Sequence, residues 1–230
     1  MSRVSMFVWQ RLRETGELRP LLDTWRMSRG LPEFTGREGK GPAVLLVGGL
    51  GPTSQSCVRL QRQLVRAGFD ARVARIDWNI HRLPDAVTLL DQVIDQFFPS
   101  GPFSLFAHSY GGIEVALLKS RSRHRDRIVK IVTLATPFQG TPSPLLKVIF
   151  EQITGQNQEE LLKEYTGEIS TINMTIANII CPEDVLVPVS AGGGKKVEVI
   201  VLPKRFGLRH ADCLVDRRVA RLVMSFLPTP

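Results

Sequence analysis

The chain has 230 residues, 43% of them apolar and 23% charged, and 30 basic against 22 acidic side chains give a net charge of +8. That length fits one domain with a sizeable core, and the composition excludes a disordered or fibrous chain. No apolar run approaches the ~18 residues that span a bilayer, and Met6–Trp9, followed by Arg11 and Arg13, is too short for a signal-peptide core.

Residues 1–35 are Arg-rich, with Val4, Phe7, Val8, Leu12, Leu18, Leu21, Leu22 and Trp25 partly at helical spacing. Gly16 and Pro20 break any single long helix. The segment is expected to pack on or flank the main domain; the alternative is an amphipathic helix lying on a membrane surface. A turn-rich linker, Gly36–Pro42, leads into one domain over 36–230.

From Ala43 strands and helices alternate. Ala43–Val47 is a continuous apolar run, the mark of a strand buried on both faces. Ser56–Ala67 reads as helix, Ala71–Ile76 as strand, and Pro84–Phe97 as a helix with Val87, Leu90, Val93, Ile94 and Phe97 as its apolar stripe. Phe103–Ala107 is a strand, Gly111–Ser120 a helix and Ile128–Ala135 a β-branched strand. Residues 143–165 read as one or two helices, Met174–Ile180 and Val197–Leu202 as strands, and Ala211–Phe226 as a closing helix that Asp212 caps. This order predicts an α/β fold with a mostly parallel central sheet and helices on both faces.

The most informative stretch is Phe103–Ala116. A strand runs directly into a helix, with Ser109 at the junction, Ala107 two residues before it and Gly111 two after. A nucleophilic serine needs such a turn, because its hydroxyl must project above the sheet and bulky neighbours would clash in so sharp a bend. Ala107 stands where the strict pattern has glycine, and alanine is small enough to serve. The other reading of Ser109 is a helix N-cap. Upstream, the strand Ala43–Val47 ends in Gly48-Gly49-Leu50-Gly51-Pro52, a loop suited to close backbone approach. Backbone N–H groups from that loop and from the residue after the serine build an oxyanion hole in this arrangement, which points to Leu50 and Tyr110.

Catalysis also needs a base and an acid, in chain order serine, acid, histidine. Of the four histidines, His81 and His108 precede Ser109, and His108 is expected to point away from it; His124 lies among arginines. His210 follows the last strand and is the candidate base. The strand ending at Ile180 leads into Cys181–Pro188, where Asp184 is the candidate acid and Glu183 the alternative. Residues 119–130 carry six lysines and arginines against one aspartate, at the far end of the helix that follows Ser109. They read as a solvated surface, with contact to an anionic membrane as the alternative; few aromatics interleave, so nucleic acid is not a partner. Cys57, Cys181 and Cys213 are widely spaced and show no metal-ligand pattern, and are expected to be reduced thiols of a cytoplasmic, alternatively membrane-peripheral, protein.

The blocks Ala43–Gly51, Ala107–Gly112, Thr133–Pro142 and Glu183–Pro188 resemble, in the right order, those of microbial lipases and esterases in the α/β-hydrolase superfamily. The resemblance implies the α/β-hydrolase fold with a small or absent lid, residues 143–173 forming a short cap. It implies a triad of Ser109, Asp184 and His210, and oxyanion donors at Leu50 and Tyr110. It implies hydrolysis of a small-molecule or lipid ester through an acyl-enzyme, with no cofactor and no metal. Phe138, Leu145, Leu146 and Ile149 are then candidate substrate contacts, together with Leu50 and Phe150; the helix members are alternatively the buried face of a helix. Two positions depart from these relatives: Gly48 replaces a usual histidine, and Phe138 replaces another, making the mouth of the site more apolar. The same triad would also serve a thioesterase or acyltransferase, and a catalytically silent acyl-ligand or partner-binding protein is the reading from outside enzymes. The oligomeric state is left open.

Overall fold

The computed structural model describes residues 41–49, 53–74, 83–144 and 157–230, with Arg13, Lys147, Glu151 and Gly155. The expectations for the segment 1–35, for Leu50, and for Leu145, Leu146, Ile149 and Phe150 lie outside the described residues.

Six strands form one parallel sheet: β1 (Ala43–Val47), β2 (Asp70–Ala74), β3 (Phe103–His108), β4 (Ile128–Leu134), β5 (Ile176–Ile180) and β6 (Val197–Val201). Their spatial order is β2-β1-β3-β4-β5-β6, and every neighbouring pair is parallel. The helices described in full are α1 (Thr53–Arg66), α2 (Leu83–Phe97), α3 (Gly111–Arg121), α4 (Gln158–Ile169) and α5 (Arg217–Phe226). Among the described residues, no helix is long and apolar enough to cross a membrane.

Alternation along the strands feeds two cores. Leu45, Val47, Leu105, Ala107 and Ile131 face α2, α3 and α4, meeting Leu90, Ile94, Leu117, Leu161 and Tyr165. Val44, Leu46, Phe106, Val132 and Leu134 face α1 and α5, meeting Leu60, Leu64, Val219 and Val223. Burial on both faces is why β1 and β3 read as unbroken apolar runs. The chain leaves β1 for β2 on one side and for β3 on the other, so the strand order reverses between β1 and β3. Ligands of open parallel sheets bind at that switch point, beyond the carboxyl ends of the strands. The residues at those two ends are Gly48-Gly49 and Ser109.

The closing helix begins at Arg217, later than expected. Residues Asp212–Leu214 form a separate 3₁₀ turn. Asp216, not Asp212, caps the helix, its carboxylate accepting the N–H groups of Arg218 and Val219 at 2.7 and 3.3 Å. The expected cap, 143–173, holds α4, whose N-cap Asn157 accepts the N–H of Glu159 at 2.8 Å, and the described residues Pro144, Lys147 and Glu151 ahead of it are helical as well. The basic run is heavily engaged. Arg121 pairs with Glu164 and Glu168 on α4, Arg123 and His124 with Asp95 on α2, and Lys119 donates to the carbonyls of Arg125 and Ile128. Arg127 donates to Gly101 O and lies over the Phe103 ring. These cations bind the α2–α3–α4 face together.

Candidate active site

Ser109 sits in the bend between β3 and α3 with φ of 54°, a conformation rare for a residue bearing a side chain. Two backbone bonds hold it there: its N–H donates to Leu134 O at 2.8 Å, and its carbonyl accepts Gly112 N–H at 3.0 Å. Tyr110 follows as the N-cap of α3, so the positive end of that helix lies beside the serine. The Tyr110 side chain is buried in the core, and burial pushes its hydroxyl pKa up.

The small residues around the bend have steric causes. A Cβ on Gly111 would meet Gly48 O at 2.1 Å, and one on Gly112 would meet Thr136 Oγ1 at 1.9 Å. A Cβ on Gly49 would stand 2.8 Å from Ser109 Cβ and 2.9 Å from His108 O. The Gly48-Gly49 loop therefore lies directly against the bend, and Gly48, the position that departs from the resembling lipases, packs its backbone on Gly111. Ala107 is fully buried between β1 and β4, where its methyl fits.

The structure brings Ser109, His210 and Asp184 into one hydrogen-bonded chain. His210 Nε2 lies 3.0 Å from Ser109 Oγ, and its Nδ1 lies 2.7 Å from Asp184 Oδ2. All three are buried, Asp184 at 2% exposure. The other carboxylate oxygen, Oδ1, accepts the N–H groups of Leu186 and Val187, each at 2.9 Å. Asp184 is thus fixed by its own loop, with one oxygen left for the imidazole. Of the two acids considered, Asp184 takes the position on Nδ1. A carboxylate there fixes the tautomer that leaves Nε2 free to accept the serine proton.

Phe138 is only 3% exposed and packs in the core shared with α3 and α4, so its ring is a buried wall rather than an open apolar rim. A cleft of about 340 Å³ opens beside it, lined by Gln139, Thr141, Lys147, Gln158 and Ser190 among others. Its wall joins the acid loop, since Thr141 Oγ1 donates to Leu186 O at 2.6 Å.

Three features had no local signal in the sequence. Asn178 on β5 donates to Thr136 O and Gly192 O and accepts from Thr133 Oγ1 and Thr136 N, fixing the chain as it leaves β4. His108 accompanies His210, its ring 4.7 Å away and its Nε2 3.1 Å from His210 O. Cys181 and Cys213 form a disulfide, which corrects the expectation of three reduced thiols. The end of β5 and the 3₁₀ turn after His210 bring the pair together. Cys57 remains a free thiol, and burial pushes its pKa up to about 12.

No protein-family model matches the chain, and no curated protein matches it by sequence. Solved structures do match. The chain is similar to a monoacylglycerol lipase from Paleococcus ferrophilus, with 16% identity, 81% of this chain and 97% of that one covered, and a TM-score of 0.57. It is similar to lipase B of Aspergillus fumigatus, with 14% identity, 84% and 54% covered, and a TM-score of 0.64. A hydrolase from Oleispira antarctica matches at 11% identity, 82% and 92% covered, with a TM-score of 0.60. Identities this low speak to architecture, and together with the six-stranded parallel sheet they establish that the chain has the α/β-hydrolase fold.

Proposed function

We propose that the chain is a serine hydrolase that cleaves a carboxylic ester through an acyl-enzyme on Ser109. The observation that carries this reading is the Ser109–His210–Asp184 chain of hydrogen bonds, 3.0 and 2.7 Å long, at the switch point of the sheet. His210 Nε2 takes the serine proton as Oγ attacks the acyl carbon, then delivers it to the leaving alkoxide. Water enters, loses a proton to His210 and releases the acid. Asp184 keeps Nδ1 protonated and stabilises the imidazolium. The N–H of Tyr110, at the start of α3, and that of Leu50 are the proposed oxyanion donors, each worth roughly 10²–10³ in rate.

The substrate is a small-molecule or lipid ester; Phe138, Leu145, Leu146 and Ile149 are proposed to shape its acyl pocket. The engagement of residues 119–130 with neighbouring acids and carbonyls weakens the case for membrane contact through that run. Hydrolysis of p-nitrophenyl esters from acetate to palmitate tests the reading. Turnover by the wild type that vanishes in Ser109→Ala supports it, and the preferred chain length reports the pocket. Turnover that survives in Ser109→Ala, or none in the wild type on any ester, rejects it.

A further inference from the structure

Alternation along β3 places Phe106 and His108 on the same face, the one covered by α1, α5 and the turn Asp212–Leu214. His108 is fully buried there. Its Nε2 lies 3.1 Å from the main-chain oxygen of His210. A carbonyl can only accept, so Nε2 carries the proton and Nδ1 is a bare nitrogen. Among the described residues that Nδ1 has no hydrogen-bond partner. The ring also lies against the His210 ring, with centroids 4.7 Å apart and planes tilted by 47°.

Two residues adjacent in sequence therefore hold the two ends of His210. Ser109 Oγ meets its imidazole at 3.0 Å, and the His108 imidazole meets its backbone. We propose that His108 is a positioning residue for His210, setting the register between base and nucleophile by anchoring the main chain of the base. The inference rests on the hydrolase reading above.

The chemistry suits that task. His210 belongs to a turn rather than to a strand or helix, so no regular ladder takes up its carbonyl. A main-chain hydrogen bond from a buried side chain holds such a turn in place, and losing it loosens the turn. An apolar residue at position 108 would fill the space but supply no donor to that carbonyl. A lysine or arginine would bury a permanent cation against the base. A neutral imidazole supplies one donor with no charge. Burial first, and the neighbouring His210 second, hold the pKa of His108 well below the ordinary histidine value.

His108→Phe keeps an aromatic ring of similar volume against His210 and removes the donor. His108→Gln places an amide N–H close to where Nε2 stands. We would measure kcat and KM on the best p-nitrophenyl ester, per site titrated with a fluorophosphonate, and the downfield proton resonance of His210 Nδ1–H. The expected result for the Phe variant is an unchanged KM and a kcat lowered by about 10-fold or more, since small misplacements of reacting groups are costly. The same variant should broaden or shift the resonance, and the Gln variant should recover both. If the Phe variant does not fold, His108→Asn replaces it, because its shorter amide does not reach the His210 carbonyl. Wild-type kcat and an unmoved resonance in the Phe or Asn variant overturn the proposal. So does equal loss in the Phe and Gln variants. A wild type that neither turns over ester nor reacts with the fluorophosphonate rejects the hydrolase reading, and the resonance alone then decides whether His108 positions His210.

Discussion

Cys181 and Cys213 tie the loop that carries Asp184 to the turn that carries His210. Cys181 closes β5 and accepts Asp184 N–H on its carbonyl at 3.0 Å; Cys213 lies in the 3₁₀ turn that follows His210. Acid and base thus share a covalent staple as well as the 2.7 Å bond between them.

Removing the staple should cost stability. The bridge spans a sequence separation of 32, for which loop-closure entropy gives about 3–4 kcal/mol. Cys213→Ser, or full reduction, should lower Tm by about 10 °C at the usual 2–4 °C per kcal/mol for a chain of this size. Thiol counting offers a separate check. The denatured, unreduced chain should alkylate once, at Cys57, and the reduced chain three times.

Asp184→Asn should leave the fold intact and lower kcat by about 10³–10⁴-fold. The amide oxygen can still accept the Leu186 and Val187 N–H groups, but its NH₂ would then face His210 Nδ1 and favour the wrong tautomer. Glu183→Gln should stay within about twofold of wild type, because Asp184 already occupies Nδ1. Steady-state kinetics of the two variants separates the neighbouring acids.

Gly49→Ala tests the packing of the glycine loop against the nucleophile. The added methyl would sit 2.8 Å from Ser109 Cβ and 2.9 Å from His108 O, so loop and bend must separate. Fluorophosphonate labelling of Ser109 should slow by about 10²-fold, in line with a displacement near 1 Å. Labelling at the wild-type rate would place the glycine requirement elsewhere.

Glu114 on α3 gives a pH signature in stability. Burial raises its carboxyl from 4.5 to about 8. The folded chain holds a proton there that the unfolded chain releases, so stability falls as pH climbs from about 4.5 to about 8. Glu114→Gln removes that dependence. Its Tm should match wild type near about pH 5 and exceed it near about pH 9. Parallel Tm curves for the two proteins would show that the carboxyl is not so perturbed.

The alternation of apolar strands and amphipathic helices was readable because both faces of β1 and β3 are buried, which makes them unbroken apolar runs. Ser109 was readable because the steric demands of its bend leave local traces, alanine before and glycines after. His210 emerged by chain order, the other three histidines standing before or beside the wrong elements. What escaped depends on long-range pairing. His108 meets a partner 102 positions away, and the disulfide partners are 32 apart. The start of α5 was misplaced for a local reason: Asp212 and Asp216 each open a turn of helical character, and only the second continues. Residues 143–165, where one or two helices were expected, hold the first part of α4, and the described residues Pro144, Lys147 and Glu151 ahead of it are helical too.

The central claim is that Ser109 is a nucleophile activated by His210. Its most direct test is reaction of the full chain with a fluorophosphonate probe, followed by peptide mapping, for wild type and His210→Ala. The account predicts a single adduct on Ser109, formed rapidly in the wild type and slower by about 10³-fold or more without the base. No adduct in the wild type, an adduct on another serine, or equal rates in the two proteins would contradict it.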